Sequence, residues 1–205
     1  MARTLTQHGR LAWGPIALLA VAATAGGASA AKAPASALRV LTPVADTYVT
    51  AARPGANFGR ASALRVDGVP ETTAFVRFRP GKIGGQVTSV ILLLHSRSAG
   101  RAAYAVRRVS GVEWRERTLT YANAPDLSLR YASSKPVRRG AWSAIEVGSF
   151  VSAGDGGEVS LAITTRGGRE LAFGSRESRT GPRLVVRVGP PLDVDDLLLK
   201  ALGRH

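Results

Sequence analysis

The stretch "TAFVRFRPGKIGGQVTSVILLLHS", residues 73–96, contains two β-strand patterns and the break between them. In "TAFVRFR", Ala74, Val76 and Phe78 fall on one side of an extended chain and Phe75, Arg77 and Arg79 on the other, because side chains alternate along a strand. "RPGKIGG" then interrupts the run with proline and glycine. "SVILLLHS" is apolar on both sides, as a strand covered on both faces should be.

The same pattern extends in both directions. "SALRVLT", "DTYVT", "SALRVDG", "AAYAVRRV", "SAIEVG", "EVSLAITT", "LAFGS" and "RLVVRV" are short apolar or β-branched runs. Between them lie "RPGANFG", "SAGRA", "SAGDGGE", "TRGGRE" and "RTGP". Many short strands at this spacing predict an all-β sandwich or barrel. Only "WSAIEVGSFVSAG" carries a weak helical period. In "RLVVRV", Leu184, Val186 and Val188 share one face, and Arg183, Val185 and Arg187 the other.

The ends read differently from the middle. "MARTLTQHGR" is basic, "LAWGPIALLAVAATA" is apolar, and Ala28-x-Ala30 supplies small residues at a cleavage position. Residues 1–30 are therefore predicted to be a secretory signal peptide cleaved after Ala30. The apolar run is shorter than the ~20 residues of a spanning helix, so no membrane span is expected after cleavage. Residues 31–37, "AKAPASA", read as a linker, and residues 38–189 as a single domain. Residues 190–205, "PPLDVDDLLLKALGRH", read as a C-terminal tail able to form a short helix.

The chain of 205 residues has no cysteine, which excludes disulfides, thiolate metal sites and a cysteine nucleophile. Its formal charge is +14, and removal of residues 1–30 takes away Arg3, Arg10 and no acid. Such a surface attracts polyanions. For an exported protein the accessible ones are acidic polysaccharides, teichoic acids and anionic lipid surfaces. The alternative is a solvated basic surface in which arginine replaces lysine. Nucleic-acid binding through charge alone would be nonspecific.

Catalytic signatures are missing. Beyond the signal segment the histidines are His95 and the terminal His205. There is no G-x-S-x-G, H-E-x-x-H, phosphate-binding glycine loop or EF-hand spacing. Glu113 and Glu116 offer a carboxylate pair, but sequence neighbours rarely face each other across a substrate.

Five segments, taken in order, resemble DNRLRE-type domains, secreted modules grouped with carbohydrate-binding module family 96 and similar to the repeat of archaeal disaggregatases. They are "ADTYVTAARPGANFGRASALRVDG", "AFVRFRPGKIGGQVTSVILLLHS", "VEWRERTLTYANAP", "IEVGSFV" and "LAFGSRESRTGPRLVVRV". The specific marks are Asp46-Thr47-Tyr48, Asn57-x-Gly59, Arg77-Phe78, Trp114-x-Glu116 with "TLTY-NAP", Ser175-Arg176-Glu177 and Pro182-Arg183-Leu184. The resemblance spans roughly Val44 to Val188. It implies a jelly-roll-like antiparallel β-sandwich that binds polysaccharide, with alginate a ligand class of the family, and does not cleave it. Arg79 stands where the family usually has an acid, and Tyr121 where it has a tryptophan.

Several residues carry the binding hypothesis. Arg77, Arg79, Arg176, Arg183 and Arg187 are expected to form an outward stripe, since guanidinium forks grip carboxylates in pairs of hydrogen bonds. The alternative is a solvated strand face that keeps edges from pairing. Tyr104 and Trp114 are candidates for stacking on sugar rings, or for packing; Trp142 shares the choice. Continued strand parity from Leu171 and Phe173 would turn Glu177 inward, where an unpaired carboxylate is costly. Its partner would be an arginine, Arg77 or Arg65, or else a calcium ion shared with Asp46; the abundance of arginines favours the ion pair. No other cofactor is expected. The reading is a secreted, monomeric, non-catalytic module for an acidic polysaccharide, alginate-like or from the cell envelope. Its rivals are a structural or adhesive envelope protein and a polysaccharide lyase.

Overall fold

The computed structural model describes residues 37–83, 85–98, 102–110, 114–151, 158–189 and 202. The chain divides into two compact units, Met1–Ala33 and Pro34–His205, and the described residues all belong to the second. The expected signal peptide, most of the expected linker and nearly all of the expected C-terminal tail lie outside them.

Eleven strands are present among the described residues: β1 Ala37–Leu41, β2 Ala45–Thr50, β3 Ala63–Gly68, β4 Glu71–Phe78, β5 Val87–His95, β6 Ala105–Val109, β7 Leu127–Ser133, β8 Trp142–Glu146, β9 Val159–Thr164, β10 Leu171–Gly174 and β11 Arg183–Val188. They form two antiparallel sheets, a sandwich in one domain. The smaller has the order β1-β11-β5-β8. The larger runs β10-β3-β4-β9-β6-β7, with β2 paired to β4. The weakly helical segment is instead β8 followed by a 3-10 turn at Gly148–Phe150.

Alternation explains how each strand is used. Ala74, Val76 and Phe78 of β4 enter the core between the sheets, where they meet Val90, Leu92 and Leu94 of β5 and Leu184 and Val186 of β11. Each such side chain contributes about 1.5–3 kcal/mol by leaving water. The opposite parity does not face open solvent everywhere. On the outside of the larger sheet, Phe75 and Ala162 pack with Trp114, Leu119 and Val109. On the outside of the smaller sheet, Ile91, Leu93 and Val185 pack with Leu38, Trp142 and Ala144. Apolar residues on both faces of β5 therefore serve two different clusters, as its sequence implies.

Strand β7 is not legible as a strand in the sequence. Leu129 and Tyr131 are exposed at the sheet's margin, so "LSLRYAS" lacks the buried stripe that marks its neighbours.

Candidate functional site

Three loops meet where the site is built. Residues 51–62 connect β2 to β3, the segment after Trp114 crosses the outside of the larger sheet, and residues 175–182 connect β10 to β11. Asn57 joins the first two: its Nδ2 donates to the carbonyls of Glu116 (2.8 Å) and Leu119 (2.7 Å). Gly59 permits the approach, since a Cβ there would lie 2.2 Å from the Glu116 carbonyl oxygen. Ser175 joins the third, its hydroxyl donating to the Ala61 carbonyl at 2.6 Å.

Under this junction three carboxylates converge. One oxygen each from Asp46, Glu116 and Glu177 lies within 4.8 Å of the others. Asp46 is only 1% exposed. Its Oδ2 accepts the Arg176 main-chain N–H at 2.7 Å, and its own N–H donates to Glu116 Oε1 at 3.0 Å. Its Oδ1 is buried with no hydrogen-bond partner among the described residues. Burial pushes the Asp46 carboxyl up to about 7; the Arg176 N–H opposes the shift, and the charges of Glu177 and Glu116 add to it. The Arg176 guanidinium lies 3.4 Å from Glu177 and 3.7 Å from Glu116, and also donates to the Val44 carbonyl.

Glu177 thus departs from the expected ion pair with Arg77 or Arg65. Arg77 pairs with Glu158 at 3.0 Å, and Arg65 with Glu170 at 2.8 Å. The inward parity fails because the strand ends at Gly174 and the chain turns: the Ser178 N–H donates to the Ser175 carbonyl at 2.9 Å. Glu177 lies instead beside Asp46, the residue with which a shared calcium ion is the other expectation, and Glu116 is the third carboxylate there.

The five arginines are not assembled into one stripe. Arg77 and Arg79 belong to the larger sheet and its end, where both hold Glu158 and keep its carboxyl below the usual range. Arg77 also lies 4.5 Å from the centre of the Trp114 ring. Arg183 and Arg187 are on the smaller sheet, and Arg176 is in the turn. Arg183 lies over Trp142 at 5.1 Å. Arg187 is 2% exposed, a correction to its expected outward role. It does share a face with Val185, as parity requires, but that face carries an apolar cluster rather than open solvent.

Tyr104 and Trp114 are corrected in the same way. Tyr104 is buried in the core, edge-on to Phe173, with its hydroxyl 2.9 Å from Ser143. Trp114 is buried edge-on against Phe75. Tyr104 is enclosed by the core, while Trp114, though buried, borders a concavity of about 430 Å³ with Arg115, Leu119 and Pro125. Trp142, half-buried, is edge-on to His95.

Aromatic side chains line a groove elsewhere, although Tyr48 is itself a buried core residue and Phe58 is half-buried against it. This groove of about 400 Å³ is lined by Tyr48, Phe58, Thr50, Thr72, Arg53 and Arg65, and also by the acids Asp67 and Glu170. The Tyr48 and Phe58 rings stack at 4.2 Å with 14° between planes, and the Arg53 guanidinium lies 5.6 Å from the Phe58 centroid. A second concavity of about 400 Å³ is lined by Asn57, Arg60 and Arg117. Both use the β2–β3 loop. Neither Arg53 nor Arg60 forms an ion pair among the described residues. Sequence reasoning passes over this loop as a breaker, although "ARPGANFGR" holds two arginines and an aromatic within nine residues.

Comparison with known proteins agrees with this architecture. The family model described as carbohydrate-binding module family 96 matches residues 37–188, which covers every strand from β1 to β11. No curated protein matches the sequence.

Proposed function

Since the chain belongs to carbohydrate-binding module family 96, we propose that it is an exported, non-catalytic module whose β2–β3 loop holds an acidic polysaccharide, alginate-like or from the cell envelope. The observation that carries this reading is the groove in which the stacked Tyr48–Phe58 pair stands beside Arg53, with Arg65 held by Glu170 at its side and Arg60 and Arg117 in the concavity on the same loop. Aromatic rings offer an apolar surface to sugar C–H groups, and guanidinium forks donate bidentately to carboxylates. A uronate chain repeats one carboxylate per sugar, so arginines spaced along a loop can engage successive units.

Export is supported by the basic start, the apolar run and Ala28-x-Ala30. No helix among the described residues is long and apolar enough to cross a membrane.

The test is affinity electrophoresis or column retention on alginate at two salt concentrations, with a neutral glucan as control. Retention on alginate that falls with salt, and none on the glucan, supports the reading. Absence of retention on any polyuronate, or retention indifferent to salt, contradicts it.

A further inference from the structure

We propose that Asp46, Glu116 and Glu177 together bind one calcium ion, which ties the start of β2, the loop after Trp114 and the β10–β11 turn into a single unit.

The spacing comes first. Calcium takes oxygen ligands at about 2.3–2.6 Å, so two of its ligands are never more than about 5 Å apart. The three carboxylates meet that limit, with one oxygen each inside 4.8 Å. They come from positions 46, 116 and 177, so sequence proximity cannot explain the convergence. Each is delivered by backbone geometry that the sequence builds locally. Asp46 sits in β2, paired opposite Val76 of β4. Glu116 is held through its carbonyl by Asn57 and through its side chain by the Asp46 N–H. Glu177 is placed by the turn that Ser175 and Ser178 close, with the Glu177 N–H donating to Ser175 Oγ at 3.3 Å.

A second observation points to an occupant. Asp46 Oδ1 is fully buried and has no donor among the described residues, in a residue that is 1% exposed. Buried carboxylate oxygens are almost always satisfied, and leaving one bare beside two further acids compounds the cost. A hard dication supplies what this oxygen lacks. The Arg176 guanidinium within the cluster stands 3.4–3.7 Å from Glu177 and Glu116 and donates no hydrogen bond to Asp46 Oδ1. Arg117 adds a distant contact, 3.8 Å from the far oxygen of Glu116. An all-oxygen carboxylate set suits calcium or magnesium. Calcium is favoured because its coordination number and geometry are flexible, with water able to complete the shell on the side where Glu177 is partly exposed.

The inference stands apart from the glycan reading, because the ion is measured without any sugar. Isothermal titration of the chelator-stripped chain with CaCl2 is expected to show one ion per chain, with a dissociation constant of about 10⁻⁴–10⁻³ M, the range of extracellular modules. Millimolar CaCl2 is expected to raise the melting temperature, and chelator to reverse it. Glu177→Gln, a change at a partly exposed turn, should retain the native circular dichroism yet weaken calcium at least tenfold. Asp46→Asn should abolish binding. Arg176→Gln should leave binding intact or tighten it, since it removes a competing cation. Failure to detect heat or a melting shift at millimolar calcium overturns the proposal and assigns the cluster to Arg176 alone. Binding unaffected by both Glu177→Gln and Asp46→Asn overturns it too, by placing the ion elsewhere.

Discussion

The Asn57 side chain donates to the Glu116 carbonyl at 2.8 Å across 59 residues of sequence. It fastens the loop that carries Arg53, Phe58 and Arg60 onto the segment that carries Glu116. The aromatic groove and the carboxylate cluster therefore share a support. Asn57→Ala removes three hydrogen bonds at once, leaving two carbonyls without their donor and the Gly59 N–H without its acceptor. The expected loss of stability is about 1–3 kcal/mol, read by urea denaturation. Polyuronate affinity should fall with it, because the loop loses its anchor.

Gly59 is required for the same junction. A Cβ there would stand 2.2 Å from main-chain oxygen, not from a flexible side-chain tip. Gly59→Ala is expected to destabilise by about 1–3 kcal/mol, as forced overpacking does. Thermal melting of this variant against Gly55→Ala checks it, because a Cβ at Gly55 meets nothing within 4 Å.

Trp114 is a packing residue in this account. It covers Phe75 on the outside of the larger sheet and carries the Arg77 guanidinium against its ring. Trp114→Ala should cost about 3–5 kcal/mol in chemical denaturation, the range of large aromatic truncations in cores. Trp114→Phe should recover most of the stability. Were Trp114 a sugar platform instead, Trp114→Ala would reduce binding with little change in stability.

Glu158 sets an acid-side dependence. Hydrogen bonding from Arg79 is the largest influence on its carboxyl; burial, the next largest, opposes it, and the charge and hydrogen bond of Arg77 with the charge of Arg79 leave the carboxyl below the usual glutamate range. Its folded pKa lies below its unfolded value. Its stabilisation is thus complete above the ordinary glutamate pKa of ~4.3 and disappears as pH falls through the lowered value. Wild type and Glu158→Gln should differ in denaturation midpoint at neutral pH and converge in acid. A difference that persists at the lowest pH would contradict this assignment.

Much of the fold is legible in the sequence because it depends on local alternation. Val76, Phe78, Leu184 and Val186 point into the core as their parity requires. Val90, Leu92 and Leu94 lie opposite Ile91 and Leu93 as two apolar faces require. Parity alone does not say what covers an outer face. It turns Arg187 and Phe75 outward, and both are buried, beside Val185 and under Trp114 respectively. The site is less legible, since it is assembled by tertiary contacts between distant segments. Asp46 and Glu177 stand out at the two ends of the domain, but Glu116 reads in the sequence as a carboxylate beside Glu113 and as part of the Trp114-x-Glu116 mark, not as their neighbour. Arg65 reads as a partner of Glu177, while cross-strand pairing of β3 with β10 brings it to Glu170 instead. Proline and glycine mark the β2–β3 loop as a break; the same residues shape the concavities.

The location of the binding surface can be tested by titrating an oligouronate into Arg53→Ala and Arg60→Ala, with Arg183→Ala as the reference on the opposite sheet. The account predicts that each loop substitution weakens affinity about tenfold, the loss of one charge-assisted hydrogen bond, while Arg183→Ala binds as wild type. Wild-type affinity in both loop variants, or a larger loss in Arg183→Ala, would contradict it.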